Sequence, residues 1–308
     1  MAYQSTEPYN VIGNREDLTD ILVNVTPKET YLVSNTRRTT AKNLKHEWQT
    51  DALSAVDTAN AVIPGAVVTA DFASAAVRTR VSAYCQLMDK LVATADSTQA
   101  HDPAGLSNEH EYQIAKAMKD LARDMEYMYV NQTSATGASG VASKLTGLAQ
   151  AITTNVNSAT AVRDYTYAIH QALSKTIADA GGRPDLIYFK SAVALDITQH
   201  PTSAGGGSGA VVINVPQNQI TDAYDMYRDM FGVKKLVPNI GNFAVVTATA
   251  SAGVFQLQTD LLAQAFLQQL DVVPIARLGH AVNSMIKVEV TLEYGNELAH
   301  GDAKQIDN

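Results

Sequence analysis

Seven histidines, one cysteine, a glycine-rich run and two acid pairs are the residues of this chain whose types suit chemistry. The glycines of SAGGGSG, residues 203–209, would let backbone amides approach a phosphate. A P-loop, however, needs GxxxxGK followed by Ser or Thr, and Gly209 is followed by Ala210 and Val211. A dinucleotide fingerprint needs a strong strand before the run and a helix after it, and neither pattern is present, so the run reads as a surface loop. The histidines, at positions 46, 101, 110, 170, 200, 280 and 300, lack the i, i+4 pairing and the cysteine partners of zinc sites. His110-Glu111 has no second histidine to complete HExxH, and His300 reads as a hydrogen-bonding residue closing a strand. Cys85 sits in an alternating pattern and reads as a small buried hydrophobe, not a thiolate beside a base. No GxSxG elbow occurs. The pairs Glu16 with Asp17 and Glu109 with Glu111 fit helix starts, where a carboxylate meets the positive end of the dipole. We therefore assign no catalytic, cofactor-binding or metal-ligating residue and expect no enzyme and no cofactor.

The chain has 308 residues, enough for a sizeable core and two or three modules. Its charged fraction of 18% falls below the roughly 25% of typical soluble proteins. A thinly charged polar surface repels its own copies weakly, which suits packing of like against like. The net charge of -8 argues against broad affinity for nucleic acid. Arg37, Arg38, Lys42 and Lys45 form a local exception, read as a solvated or salt-bridging arm. With Cys85 alone, no intrachain disulfide can form. No signal-peptide pattern opens the chain and no apolar stretch approaches the roughly 18 residues of a membrane span, so folding in a reducing cytoplasm is expected.

These residues must be positioned by a mixed α+β framework. Residues 1–45 are rich in Thr, Asn and charge, with Pro27 interrupting any helix, and read as an extended arm with a short helix near Arg15 to Val23. Ala66 to Phe72 and Arg80 to Leu87 read as strands, the second with Val81, Ala83, Cys85 and Leu87 on one side. A two-stranded ribbon is marginal in water, so this excursion calls for a partner surface. The spacing predicts a helix over 108–130: Asn108 and Glu111 suit a capping box, and Ile114, Met118, Leu121, Met125 and Met128 recur at steps of four and three. A second helix is expected from Ala161 to Ala180, stopped by Gly181-Gly182. DLIYFK reads as a buried strand and SAVALDITQ as a short helix. The last third reads as mostly β, with strands near Val211 to Val215, Tyr224 to Met230, Val233 to Val237, Phe243 to Ala248, Val254 to Gln258, Asp271 to Arg277 and Met285 to Tyr294, and a short helix after Asp260. In the last strand Ile286, Val288, Val290, Leu292 and Tyr294 alternate with Lys287, Glu289, Thr291 and Glu293.

Several segments together resemble the major capsid proteins of tailed bacteriophages with the fold first seen in phage Hong Kong 97. NREDLTDILVNVTPKETYLVS resembles the N-terminal arm of one group of these proteins, and HEWQTDAL, with Trp48, the segment after it. NEHEYQIAKAMKDLARDMEYMYV is similar to their spine helix, YRDMFGVKKLVPN to a late axial strand pair, and KVEVTLEYGNELAHG to the terminal peripheral strand. The resemblance spans nearly the whole chain in order. It implies an arm at 1–48, an extended E-loop hairpin at 49–101, a peripheral domain at 102–150 with 240–308, and an axial domain at 151–239. The implied function is structural: subunits assemble as homo-oligomeric hexamers and pentamers into an icosahedral virion capsid, in the host bacterial cytoplasm, enclosing double-stranded DNA without sequence-specific binding. Separate scaffolding, portal and decoration proteins are implied as possible partners, and no membrane. Arg37, Arg38, Lys42, Lys45, Trp48, Phe72, Arg78 and Arg80 are the candidate inter-subunit contacts, and the ribbon and arm are expected to satisfy their surfaces on sister molecules. No lysine lies between Lys45 and Lys90, so the lysine–asparagine crosslink of some members is not expected. No long charged helix of the fused-scaffold kind is read at the N-terminus. An encapsulin-like shell of the same fold around cargo is the alternative, followed by a soluble enzyme sited near SAGGGSG and by a tail or decoration protein.

Overall fold

The computed structural model describes residues 30–306 except 54, 59–60, 62, 66–77, 101–107, 198–225, 242–251 and 278. The expected helix near Arg15 to Val23, the strands at 66–72, 211–215 and 243–248, and the glycine run all lie outside these residues. The described elements form two larger sheets and a two-stranded ribbon, with the longest helix laid across the first sheet.

The first sheet is ordered β1 (Arg37–Thr40), β10 (Ala263–Ile275), β11 (Ala281–Glu293) and β4 (Gln86–Ala95). Its central strand β11 pairs antiparallel with both β10 and β4. The period of two in β11 decides which side is dry: Ile286, Val288, Val290 and Leu292 are buried in one cluster with Met88 and Val92 of β4. Helix α3 (Glu109–Asn131) covers that side and adds Leu121, Met125, Tyr129 and Val130 to the cluster. Asn108 starts α3 as expected, its side chain accepting the Glu111 amide at 3.3 Å. At ~1.5–3 kcal/mol for each fully buried aliphatic side chain, this single layer contact carries much of the subunit's stability.

The second sheet is ordered β5 (Val156–Asn157), β12 (Gly301–Lys304), β9 (Ala252–Leu257), β6 (Leu186–Lys190), β8 (Gly232–Asn239) and β7 (Met226–Asp229). Helix α5 (Tyr167–Asp179) packs Leu173 and Ile177 onto it. Gly181 ends α5 at φ 91, a left-handed conformation suited to glycine. Its amide bonds the Ala178 carbonyl and that of Gly182 the Ile177 carbonyl, both at 2.9 Å, the Schellman pairing.

Five expectations are corrected. The short helix after Asp260 is a 3-10 turn at Thr259–Leu261, and the strand expected from Asp271 begins at Ala263. Register shifts between Phe266 and Gln268 and between Gln268 and Asp271 break the alternation there, which hides the strand in the sequence. Leu87 does not continue the Val81, Ala83 and Cys85 row. The chain leaves one strand at Tyr84 and enters the next at Gln86, so Met88 and Val92 take the buried side and Leu87 is 58% exposed. The second helix begins at Tyr167 and not Ala161, because residues ahead of it bond elsewhere: the Arg163 amide to the Gln305 carbonyl and the Tyr165 amide to the Asp196 carboxylate. Finally, the arm does not depend wholly on other molecules. Helix α1 (Tyr31–Asn35) buries Leu32 in the subunit's own core, and β1 runs parallel to β10 over four residues.

His300 is a buried hydrogen-bonding residue. The Gln258 amide donates to its Nδ1 at 3.2 Å, so Nε2 carries the proton and donates to the Tyr294 carbonyl at 2.9 Å. Asp302 of β12 is equally buried, yet neither carboxylate oxygen accepts a hydrogen bond among the described residues. Burial pushes its carboxyl up to about 8, and the Lys304 ammonium, 3.8 Å away, offsets this only in part. A folded-state value above the unfolded one means that the folded protein holds an extra proton between the two. Stability should therefore fall as pH rises through about 8, with a slope of up to ~1.4 kcal/mol per pH unit over the window. Asp302→Asn should flatten that slope in denaturant melts at pH 5, 6.5 and 8; an unchanged slope would count against the assignment.

Candidate inter-subunit surface

Strands β2 (Lys45–Thr50) and β3 (Thr79–Tyr84), which fall between β1 and β4 in the chain, pair antiparallel as a ribbon. Its root is fastened where β11 ends. Trp48 donates its indole N–H to the Gly295 carbonyl at 2.6 Å and meets the Tyr294 ring edge-on at 5.1 Å. Gly295 holds φ 58, and a Cβ there would lie 3.0 Å from Leu261 Cβ, so the acceptor's position is bound to glycine. His46 lies 3.4 Å from the Glu293 carboxylate beside this anchor.

Charge is paired within the ribbon itself. Lys45 meets Glu47 at 2.7 Å, Arg80 reaches Glu47 at 3.3 Å and Arg78 reaches Asp51 at 3.3 Å. The hydrogen bond from Lys45 holds the Glu47 carboxyl below its ordinary range. Beyond the last rung, Leu53, Val56 and Ile63 are 99%, 89% and 79% exposed. Isolated exposed apolar residues are ordinary; three so close together in the chain make this stretch a candidate contact surface.

Four candidate contacts, Lys45, Trp48, Arg78 and Arg80, thus share the ribbon, Trp48 as its internal anchor. Arg37 and Arg38 lie exposed on β1, with the Arg38 guanidinium 5.9 Å from the centre of the Phe266 ring, and Lys42 is exposed just after that strand. Phe72 lies outside the described residues. Two apolar surfaces escaped the sequence reading. On the side of the first sheet away from α3, Leu91 (69% exposed) faces Met285, which faces Val273, making an apolar row across three strands. At the turn from β7 to β8, Met230 and Phe231 project into solvent. The alternation of β4 carries a signal for the first; a two-residue turn carries none for the second.

Beneath that turn lies the arrangement that most resembles a catalytic centre. The Lys234 ammonium is fully buried and donates to Asp229 at 2.7 Å, Ser174 at 2.6 Å and Gln256 at 2.8 Å. A serine beside a lysine is the geometry of an activated nucleophile, but the lysine must be neutral to take a proton. Here all three of its protons are engaged. Burial would raise the Asp229 carboxyl, yet hydrogen bonds from His170 and Lys234 outweigh it and hold the group well below the carboxylate range. The pair is an internal tie between α5, β7 and β8. Among the described residues no cluster of three His, Cys, Asp or Glu is placed to hold a metal ion, and no helix is long and apolar enough to cross a membrane.

Comparison with known proteins places this architecture. The chain is similar in fold to the capsid of a native GTA particle (TM-score 0.65, 12% identity, 96% of each chain) and to a structure from Mycobacterium phage Bobi (TM-score 0.62, 12% identity, 96% of each chain). It is also similar to the holo-SrpI encapsulin complex from Synechococcus elongatus (TM-score 0.60, 9% identity, 96% of this chain and 93% of that one). A stretch of 119 residues, 38% of this chain, is 27% identical to the major capsid protein of Escherichia phage Phieco32 and spans only 33% of that relative's length. The fold is therefore the Hong Kong 97-like capsid fold. Residues 3–307 match the SU10 major capsid protein family, a structural and not an enzymatic one, and the chain belongs to that family.

Proposed function

We propose that this chain is the repeating subunit of an icosahedral phage head, closing from hexamers and pentamers around double-stranded DNA. Residues 1–48 act as the arm, 49–101 as the E-loop, 102–150 with 240–308 as the peripheral domain and 151–239 as the axial domain. The observation that carries the reading is the ribbon: it is anchored at Trp48 and presents Leu53, Val56 and Ile63 to open solvent. An apolar tip on a two-stranded ribbon is stabilised by lying on a neighbour, and many such modest contacts add up in a closed shell. A net charge of -8 suits a container that holds nucleic acid without gripping it. Arg37, Arg38 and Lys42 reach acids of adjacent subunits in this reading. A buried, unpaired Cys85 is compatible with assembly in the host cytoplasm, with scaffolding, portal and decoration supplied by separate chains.

Purified protein should form large symmetric particles visible by electron microscopy; a monodisperse monomer at high concentration would overturn the proposal. Particles from the source virion should hold double-stranded DNA, and a protein cargo in its place would favour the encapsulin-like alternative. Replacing Leu53, Val56 and Ile63 with Asp should weaken assembly by about tenfold or more per buried side chain, at ~1.5 kcal/mol or more each, while leaving the subunit's melt unchanged. Trp48→Phe should cost ~1 kcal/mol through the lost hydrogen bond and Trp48→Ala roughly 2–3 kcal/mol, read as earlier protease cleavage in the ribbon than in α3.

A further inference from the structure

Glu126 stands on the buried side of α3 among Leu121, Met125 and Tyr129 and is itself fully buried. Its Oε1 accepts the Leu32 amide at 2.9 Å, and its Oε2 accepts the Val33 amide at 2.9 Å. Thr30, the residue before α1, makes no capping hydrogen bond with its side chain, so a carboxylate from a different helix satisfies these amides. Gln264 of β10 grips the same two residues from the other direction. Its amide donates to the Leu32 carbonyl at 3.1 Å and the Val33 carbonyl at 2.9 Å, and its own carbonyl accepts the Tyr129 hydroxyl at 3.3 Å. Side chains of the body thus hold both polar groups of two successive arm residues, independently of what those residues are.

The same carboxylate reaches the second sheet. Tyr188 of β6 donates its hydroxyl to Glu126 Oε1 at 2.5 Å, and that hydroxyl accepts from the Asn239 amide of β8. A buried carboxylate is stable only while its acceptor sites are filled, so removing one donor weakens the hold on the others.

We propose that Glu126 and Gln264 form a clasp that positions the N-terminal arm, and that Tyr188 couples arm docking to the seating of the second sheet, so that loosening one loosens the other. This concerns contacts within a single subunit and does not depend on shell closure.

Hydrogen exchange on the full-length chain tests it, with peptides covering residues 31–40 compared with peptides from α3 and β11. Glu126→Gln replaces one acceptor by a donor facing the Val33 amide and should speed exchange at 31–40 by about tenfold or more, leaving α3 and β11 at the wild-type rate. Tyr188→Phe keeps the ring against Tyr31, where the centroids are 6.4 Å apart, and removes only the hydroxyl. It should speed arm exchange several-fold, because that hydroxyl is bonded to the Glu126 carboxylate that holds the arm amides. If Glu126→Gln does not fold, Gln264→Met serves as the second clasp variant, with the same arm-selective acceleration expected. Unchanged arm exchange in the clasp variants, or acceleration shared equally by α3 and β11, overturns the clasp. Wild-type arm exchange in Tyr188→Phe overturns the coupling. Particle formation by the same variants is scored separately, so shells built from loose-armed subunits support the clasp and leave the assembly reading standing.

Discussion

A strand bonded along both edges and packed against a helix imposes its geometry on everything that touches it. β11 is that strand: β10 and β4 take its two edges, and α3 takes its apolar side. Its neighbours come from residues 86–95 and 263–275, and β1, from residues 37–40, joins through β10. Segments that lie far apart in the chain are thereby fused into one sheet. The entropy lost in closing such long loops grows only slowly with their length, so one well-packed layer can hold them. The ribbon inherits its direction from the same strand, since its root is fastened to the two residues that follow β11.

The join between the two sheets sets a polar tie inside an apolar cluster that draws on both of them. Burial pushes the Glu126 carboxyl above its ordinary range, and the hydrogen bonds from Tyr188 and the arm amides only partly offset this. Such a group adds little to stability against an apolar replacement of the same shape, but it admits few geometries. The Lys234–Asp229 tie under the β7–β8 turn has the same character. Ties of this kind specify direction as well as closeness.

What was legible in the sequence follows from the same physics. α3 was readable from Asn108 and a run of apolar residues at steps of four and three, because capping and burial both leave marks at fixed spacing. β11 was readable because its alternation runs unbroken. β10 was half hidden, since its register shifts erase the period that identifies a strand. β12 is four residues long with Asp302 fully buried in it, so neither length nor polarity announced it. Of the candidate contacts, charges and the single tryptophan stood out by type. Leu53, Val56 and Ile63 did not, because an apolar residue owes its role there to lacking a core behind it, which only coordinates reveal. Glu126 was invisible for the opposite reason: a lone acid among the charges of a long helix looks like solvent-facing decoration.

The parallel pairing of β1 with β10 has a mechanical consequence. A tug on the arm directed along its axis stretches the four rungs of that ladder together, in shear, and the grip on residues 32 and 33 shares the strain. A pull at right angles would peel the rungs one after another and meet little resistance. The subunit is therefore stiff to tension running lengthwise through the sheet and compliant to lifting, an anisotropy that suits a thin wall stretched within its own plane.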